Sequence, residues 1–291
     1  MINANATKPA SAAGSVQMGD IAVNRMGFGA MRITGSGIWG EPDDREAAKK
    51  LLHKVIDLGV NFIDTADAYG PDVSELLIAE ALYPYPDDLV IGTKGGLLRD
   101  GPGQWRPDGR PEHLRQALDG SLQRLKLEQI DLYQFHRPDP VVPFEESIGA
   151  LADLRAAGKI RHLGLSNVTV SQLEQARQQV PIVSVQNRYN LTDRASEDVL
   201  EACEQAGIAF IPWYPLATGN LATEGSPLTQ AAARHNVAPA QLALAWLLKR
   251  SPVMLVIPGT SSPEHLEENV KAAQIQLSDD EFKAISKSSL S

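Results

Sequence analysis

The run NFIDTAD, residues 61–67, is rich in β-forming side chains and follows a segment of helical period. That segment, DREAAKKLLHKVIDLG, starts at Asp44, a good helix N-cap, and its last residue, Gly59, is a typical helix stop. A helix that leads into a short apolar strand is the repeating unit of a parallel sheet. The stretch from Asp44 to Asp67 therefore predicts an α/β protein.

The same alternation continues from Met26 to the C-terminus without a linker. Eight runs have strand character: MGFGAM from residue 26, NFIDTAD from 61, LVIGTKG from 89, IDLYQFH from 130, IRHLGLSN from 160, IVSVQNRYN from 182, AFIPWYPL from 209 and MLVIPGT from 254. Eight parallel strands with intervening helices close into a barrel, whereas open doubly wound sheets usually have about five or six. We predict a (β/α)8 TIM barrel in a single domain, residues 15–291.

The chain ahead of the first barrel strand divides in two. Residues 1–14, MINANATKPASAAG, are small and polar, and we predict a mobile tail. In SVQMGDIAV, from Ser15, a Gly-Asp pair separates two short alternating runs, which predicts a β-hairpin capping the barrel floor. The Gly- and Pro-rich loops TGSGIWGEPDD and RDGPGQWRPDG follow the first and third strands, so they are expected at the barrel mouth.

Composition excludes several classes of partner. The net charge is −9 and no basic run is present, so nucleic acid is not an expected ligand. The longest apolar segment, residues 238–248, is too short to cross a bilayer. The single cysteine, Cys203, excludes an internal disulfide and fits the cytoplasm, and the six scattered histidines show no metal-ligand spacing.

Polar residues recur at the ends of consecutive strand candidates: Asp64 and Asp67 after the second, Lys94 in the third and His136 ending the fourth, with Tyr69 on the adjoining loop. Barrel strand ends meet at one mouth, so these side chains should converge. A phenol needs a neighbouring cation to stabilise its phenolate, and Lys94 can supply one. Asp64 would orient Lys94, while His136 would hydrogen-bond a substrate carbonyl.

Each of these residues alone has a structural interpretation. Asp64 is typical of a strand-end turn, Tyr69 of a half-buried packing residue, Lys94 of a solvated side chain and His136 of a satisfied strand-end imidazole. Their joint occurrence, in order, on successive strands favours an active site.

With these motifs in place, the chain resembles the aldo-keto reductase family. The matching stretches are GFGAMR (from Gly27), NFIDTADAYG (Asn61), IGTKGG (Ile91), DLYQFHRPD (Asp131), RHLGLSNVT (Arg161), VQNRYN (Val185) and IPGTSSPEHLEEN (Ile257). The resemblance implies that Asp64, Tyr69, Lys94 and His136 form the catalytic tetrad. Tyr69 would then donate a proton to a carbonyl that accepts hydride from a nicotinamide.

The resemblance also implies cofactor positions across the mouth. Ser166, Asn167 and Gln186 match residues that bind the nicotinamide carboxamide, and Trp213 matches the aromatic position that stacks on its ring. The backbone of Ala30 and Met31 should approach the ribose. Leu216, Thr218 and Gly219 match a loop along the pyrophosphate, and the adenine end matches Gly259, Thr260, Ser261, His265, Glu268 and Asn269.

The adenine end departs from the family pattern. Many members carry Lys and Arg where this chain has Gly259 and His265, which removes two cations from a phosphate site. Hydroxyls of Thr260 and Ser261 and the start of the last helix could compensate, because a helix N-terminus favours an anion. NADPH is the expected cofactor, with NADH as an alternative.

One motif favours a different fold. GSGIWG, residues 35–40, satisfies GxGxxG after a strand and before a helix, as in a Rossmann dehydrogenase. In that fingerprint the last Gly lies inside the opening helix, but here Glu41, Pro42 and Asp43 intervene. We interpret the motif as a flexible mouth loop whose Trp39 reaches the substrate.

The predicted function is NADPH-dependent reduction of a small aldehyde or ketone by a cytoplasmic monomer. A non-catalytic or slow NADPH-binding regulatory subunit is the alternative. The GSGIWGEPDD and GTSSPEHLEEN stretches look like a bacterial subgroup that includes pyridoxal reductases, which makes pyridoxal the named substrate candidate.

Overall fold

The computed structural model describes residues 8–216 and 225–288. Its strands are β1 (Ser15–Met18), β2 (Ile21–Asn24), β3 (Phe28–Gly29), β4 (Phe62–Asp64), β5 (Val90–Gly95), β6 (Leu97–Gly101), β7 (Gln104–Pro107), β8 (Ile130–Phe135), β9 (Ile160–Ser166), β10 (Ile182–Arg188) and β11 (Ala209–Trp213). Its helices are α1 (Arg45–Asp57), α2 (Val73–Leu82), α3 (Pro111–Leu125), α4 (Phe144–Ala156), α5 (Val170–Arg177), α6 (Glu197–Ala206), α7 (Pro227–His235), α8 (Pro239–Arg250), α9 (Pro263–Lys271) and α10 (Asp279–Ser288).

Seven parallel strands form one sheet in the order β11-β10-β9-β8-β5-β4-β3. The segment 254–256 closes this sheet, because Met254 pairs with Phe210 beside β11 and Val256 pairs with Met26 beside β3. Hydrogen bonds from Leu255 N to Phe210 O (2.9 Å) and from Gly27 N to Val256 O (2.8 Å) complete the two joins. The predicted (β/α)8 barrel is confirmed, with the eighth strand reduced to isolated bridges.

The hairpin of β1 and β2 plugs one end of the barrel. Its buried side chains pack in one apolar cluster with residues near the starts of the barrel strands: Val16, Met18, Ile21 and Val23 against Phe62, Val90, Leu132, Ala209 and Leu255. The strands finish at the opposite end of the barrel, where polar side chains such as Asp64 and Lys94 lie. The predicted floor-capping hairpin is therefore present.

Two segments contain secondary structure that the sequence did not predict. Residues 9–13, assigned to a mobile tail, form a short 3-10 helix in which Ala10 is fully buried and its N–H donates to Leu58 O at 3.1 Å. Burial of this small apolar face against the end of α1 gives the segment a defined position. The RDGPGQWRPDG loop contains an antiparallel hairpin, β6 and β7, that projects at the mouth.

Helix α1 begins where the sequence predicts. The carboxylate of Asp44 caps α1 by accepting from Ala47 N at 2.8 Å, and Pro111 opens α3. Cys203 in α6 is fully buried, and burial raises the pKa of its thiol to about 12, so it is not a nucleophile. Within residues 8–216 and 225–288, no helix is long and apolar enough to span a bilayer and no metal-ligand cluster occurs.

The turn of the floor hairpin is fastened to β9. Asp20 bonds Arg161 Nη2 at 2.8 Å and His162 Nε2 at 2.5 Å, and these bonds hold the pKa of the Asp20 carboxyl well below its usual value. Beside it, Gly19 has a φ of +66°, and a Cβ there would overlap the His162 ring. The turn therefore needs glycine for both conformation and space.

We expect Gly19→Ala to lower the free energy of unfolding by about 2–4 kcal/mol, since left-handed strain and overpacking add. Gly207→Ala is the matched control, because Gly207 has a φ of +64° with no atom within 4 Å of its Cβ position. That variant should lose only about 1 kcal/mol, the cost of the conformation alone. If urea denaturation gives the same loss of unfolding free energy for both variants, overlap with the His162 ring does not contribute to the loss in Gly19→Ala.

Candidate active site

The tetrad predicted from the sequence converges at the mouth. Asp64 ends β4, Lys94 lies near the end of β5, and His136 follows β8 directly. Tyr69 lies on the loop between β4 and α2 and is 7% exposed. The parallel register that pairs Asp64 with Gly92 brings these strand ends to one level. Sequence order on consecutive strands thus becomes spatial proximity.

The ammonium group of Lys94 is the centre of the arrangement. It is fully buried and donates to Asp64 Oδ2 at 2.6 Å, to Thr65 O at 2.8 Å and to the Tyr69 hydroxyl at 3.4 Å. All three N–H groups are thereby used. Because the Tyr69 oxygen accepts from Lys94, the phenol's own proton is directed elsewhere and is free to be donated.

Asp64 is held by two amides as well as by Lys94. Its Oδ1 accepts from Gln134 Nε2 at 3.0 Å and from Gln186 Nε2 at 2.8 Å. Sequence analysis missed Gln134, although the signal was available, because it is a polar residue in an apolar strand, two positions before His136 and therefore on the same face. Gln186, predicted to bind cofactor, also orients the Asp64 carboxylate.

The protonation states suit a proton donor beside a neutral imidazole. Burial raises the pKa of Tyr69 above its usual 10.0, and the opposing effect of Lys94 does not outweigh it. Burial acts to lower the pKa of Lys94, but Asp64 outweighs it and the pKa lies above 10.5. Burial and the charges of Lys94 and Arg137 keep the pKa of His136 well below 6.5. Tyr69 and His136 are therefore neutral and Lys94 is charged at neutral pH.

Asp67, the other carboxylate of the NFIDTAD run, does not join the tetrad. Its Oδ1 is buried without a hydrogen-bond partner among the described residues. Burial and the nearby Glu75 carboxylate raise its pKa well above the usual value. Asp67 therefore makes no hydrogen bond to Lys94, unlike Asp64.

Asn167 links the positions predicted to bind nicotinamide. It has a φ of +59°, and its Nδ2 donates to His136 O at 3.1 Å and to Ser166 Oγ at 2.9 Å. Its Oδ1 accepts from Trp213 Nε1 at 3.0 Å, and its backbone N–H donates to Gln186 O at 3.0 Å. Four residues from three strands are thus brought together beside His136.

The indole of Trp213 forms one wall of the mouth. Besides its bond to Asn167, it lies 5.7 Å from the guanidinium of Arg188, which also covers Tyr214 at 5.2 Å. Leu216 is half-buried at the end of this described stretch. The predicted positions Thr218 and Gly219 lie outside the described residues.

The end of β3 and residue 259 lie side by side, where the segment 254–256 closes the barrel. Ala30 is fully buried and its carbonyl accepts from Ser74 Oγ at 3.2 Å, while Met31 is half-buried. A Cβ at Gly259 would lie 2.6 Å from Gly29 O, so the close approach of two backbones excludes a side chain there. Gly259, where many family members carry Lys, thus lies directly against the backbone of Gly29.

The remaining predicted adenine-end residues surround the start of α9. Ser262 caps the helix by accepting from His265 N at 3.2 Å, and Thr260 Oγ1 accepts from Ser262 N at 3.0 Å. Ser261, His265 and Glu268 are exposed, whereas Asn269 is 6% exposed. The helix N-terminus and these hydroxyls form a surface that can accept an anionic group.

The GSGIWG motif lies in a mouth loop and opens no helix. Trp39 pairs with Gly70, and Gly40 N donates to Gly70 O at 2.5 Å, which ties the loop to the segment that carries Tyr69. The following helix, α1, starts only at Arg45. The Rossmann alternative is excluded by the barrel, and the loop predicted to be flexible is hydrogen-bonded to its neighbour.

The barrel carries a buried cluster of ionisable side chains, Asp64, Lys94 and Tyr69, where its strands end. The model of the aldo/keto reductase family matches residues 25–289, nearly the whole described chain. The protein belongs to the aldo/keto reductase family and is an oxidoreductase.

Three related proteins illustrate the similarity. An uncharacterized oxidoreductase of Schizosaccharomyces pombe is 56% identical over 279 residues, 96% of this chain and 91% of that protein. Pyridoxine 4-dehydrogenase of Escherichia coli is 44% identical over 269 residues, 90% and 94% of the two chains. The structure of an aldo/keto reductase from Klebsiella pneumoniae in complex with NADP and acetate has a TM-score of 0.79 at 28% identity and covers 94% of each chain.

Removing one partner of the buried Asp64–Lys94 ion pair should destabilise the protein by more than the intact pair stabilises it. We expect Asp64→Asn to destabilise the protein by about 3–5 kcal/mol, because it leaves a charged Lys94 buried without its anion. The double variant Asp64→Asn/Lys94→Met should be less destabilised than Asp64→Asn. Asp100→Asn, which removes an exposed partner of Arg106, is the control and should leave the urea midpoint unchanged. Equal midpoints for all three variants would refute the assignment.

Proposed function

We propose that the protein is an NADPH-dependent carbonyl reductase in which Tyr69 protonates the substrate oxygen. The observation that carries this proposal is the bond from the buried Lys94 ammonium to the Tyr69 hydroxyl, backed by Asp64. A charged donor at the phenol oxygen stabilises the phenolate left after proton transfer. The cofactor, when bound, supplies a hydride from its nicotinamide ring.

The hydrogen-bonding groups beside His136 fit a nicotinamide carboxamide. Among the described residues, the Ser166 hydroxyl proton and the side-chain oxygen Oε1 of Gln186 have no hydrogen-bond partner, and Asn167 Oδ1 accepts only one bond. One donor and two acceptors complement the carbonyl and NH2 group of a primary amide. The adjacent Trp213 face offers a flat apolar surface for the ring.

The adenine end supports NADPH through uncharged groups. Thr260 and Ser261 hydroxyls and the N-terminus of α9 would hold a phosphate there, in place of the cations that many relatives use. The Klebsiella pneumoniae relative was solved with NADP, which agrees with this choice. NADH remains an alternative cofactor because neither residue 259 nor residue 265 is a Lys or Arg that would select the 2′-phosphate.

His136 would act as a hydrogen-bond donor to the substrate oxygen, not as the acid. Its pKa well below 6.5 keeps the imidazole neutral, so one ring nitrogen carries a hydrogen and the other does not. The imidazole lies edge-on to Tyr69, with ring centroids 6.0 Å apart. Both groups can therefore contact one carbonyl oxygen, which receives its proton from Tyr69.

Pyridoxal is the proposed substrate. The support is the 44% identity to pyridoxine 4-dehydrogenase of Escherichia coli, whose name describes oxidation of the corresponding alcohol. Trp39, at the rim of the mouth, offers an aromatic surface for a planar ring. Other aromatic and aliphatic carbonyls belong in the same test.

The direct test follows NADPH absorbance with pyridoxal and a panel of carbonyls. We expect Tyr69→Phe to lower kcat by about 10²–10⁴-fold, because it removes only the proton donor, while the Kd for NADPH stays unchanged. Tyr85→Phe, which deletes a hydroxyl bonded to Leu125 O, is the control and should retain full activity. If the wild type binds NADPH but reduces no carbonyl, the protein is a cofactor-binding regulatory subunit instead.

The pH profile of single-turnover reduction should be flat from pH 6.5 to about pH 9. His136 stays neutral over this range because its pKa is lowered, and Tyr69 and Lys94 keep their protons because theirs are raised. The rate should fall only above pH 10, as Tyr69 loses the proton it donates. An inflection near pH 6.5 that disappears in His136→Gln would mean that His136 titrates normally.

A further inference from the structure

Arg99 in β6 connects three separate parts of the mouth. Its Nη1 donates to Ile38 O at 2.7 Å and to Ala68 O at 3.2 Å, and its Nη2 donates to Gly37 O at 3.1 Å. Ile38 belongs to the loop after β3, and Ala68 precedes Tyr69 on the loop after β4. A planar guanidinium has donors in a fixed fork, so one side chain can hold several carbonyls at once.

The guanidinium also lies between two tryptophans. Its carbon is 3.7 Å from the ring centre of Trp105 in β7 and 5.5 Å from that of Trp39. Among the described residues, Arg99 forms no salt bridge, and its Nε is buried without a partner. Its positive charge is therefore balanced by carbonyl dipoles and aromatic faces, all of which belong to the mouth.

The loop that carries Trp39 has a strained backbone that depends on contacts with its neighbours. Ile38 has a φ of +58°, a left-handed conformation that is strained for a β-branched residue. Strained backbone persists only where its surroundings impose it. Arg99 bonds the carbonyls of both Gly37 and Ile38, the two residues before Trp39.

Tyr69 depends on Arg99 much less. Its hydroxyl is bonded by Lys94, its N–H donates to Ala66 O at 3.2 Å, and its carbonyl accepts from Ser74 N at 3.1 Å. These contacts are independent of the β6–β7 hairpin. The Trp39 loop has one further tie, from Gly40 N to Gly70 O, which lies after Trp39, whereas Arg99 holds the two carbonyls before it. We therefore expect loss of Arg99 to shift Trp39 while the bonds of Tyr69 stay in place.

We propose that Arg99 is a positioning residue for the substrate pocket, which places Trp39 against the bound carbonyl compound by holding its loop to the β6–β7 hairpin. The inference rests on the proposed reductase activity. It assigns substrate affinity to a residue that touches neither cofactor nor reacting atoms.

The test is a double-mutant cycle on KM for pyridoxal, or for whichever carbonyl of the panel the wild type reduces best. Arg99→Met should raise KM about tenfold, the effect of losing one or two net hydrogen bonds, with kcat and the Kd for NADPH within about twofold. Trp39→Ala should raise KM similarly. In the Trp39→Ala background, Arg99→Met should add nothing, because its effect acts through Trp39.

Two further variants complete the experiment. Arg106→Met, on the same hairpin but exposed and paired with Asp100, should leave KM unchanged. Arg99→Lys, which keeps the charge but lacks the fork, should give an intermediate KM and serves if Arg99→Met fails to fold by circular dichroism. Additive effects of Arg99→Met and Trp39→Ala, or a loss confined to kcat, would overturn the proposal. Absence of turnover in the wild type would instead refute the reductase function.

Discussion

The ammonium group of Lys94 is fully buried at the level where the barrel strands end, and a buried charge is tolerated only with complete hydrogen bonding and a nearby counter-charge. Asp64 supplies the counter-charge, and the Thr65 carbonyl and the Tyr69 hydroxyl accept hydrogen bonds from the other two N–H groups. Asp64 in turn needs Gln134 and Gln186 to complete its own shell. The hydrogen bonds that the buried Lys94 requires, directly or through Asp64, therefore involve side chains of β4, β5, β8 and β10.

The barrel meets this requirement by separating an apolar layer from a polar one. Along β8, Leu132 packs on the floor hairpin, Gln134 bonds Asp64 one layer higher, and His136 reaches the mouth. Alternate residues of a strand face the same side, so this order follows from a period of two. The apolar floor leaves the buried charge with protein partners instead of water, which strengthens each of its electrostatic contacts.

The loops of the mouth are held in place by individual side-chain hydrogen bonds, whereas the barrel is held by its strand ladder and its core. Its walls come from loops whose positions are set by single side chains, such as Asn167 joining β8, β9 and β11, and Arg99 joining two loops to a hairpin. Beside β3, the backbones of Gly29 and Gly259 approach so closely that a side chain at residue 259 would overlap Gly29 O. The walls of the mouth thus rest on a few loop residues that are separate from the Lys94 cluster.

The amino-acid sequence by itself determined the strand and helix alternation, the floor hairpin and the occurrence of Asp64, Lys94 and His136 at successive strand ends, because each is a local pattern of polarity and spacing. It also determined that Gln134 shares a face with His136, although that signal was not used. Only the tertiary structure decided that Gln186 turns toward Asp64, that residues 254–256 close the barrel through two bridges, and that Arg99 reaches Ile38 across 61 positions of chain. Those features are hydrogen bonds between distant segments, and their directions are set by packing around them, which no local pattern encodes.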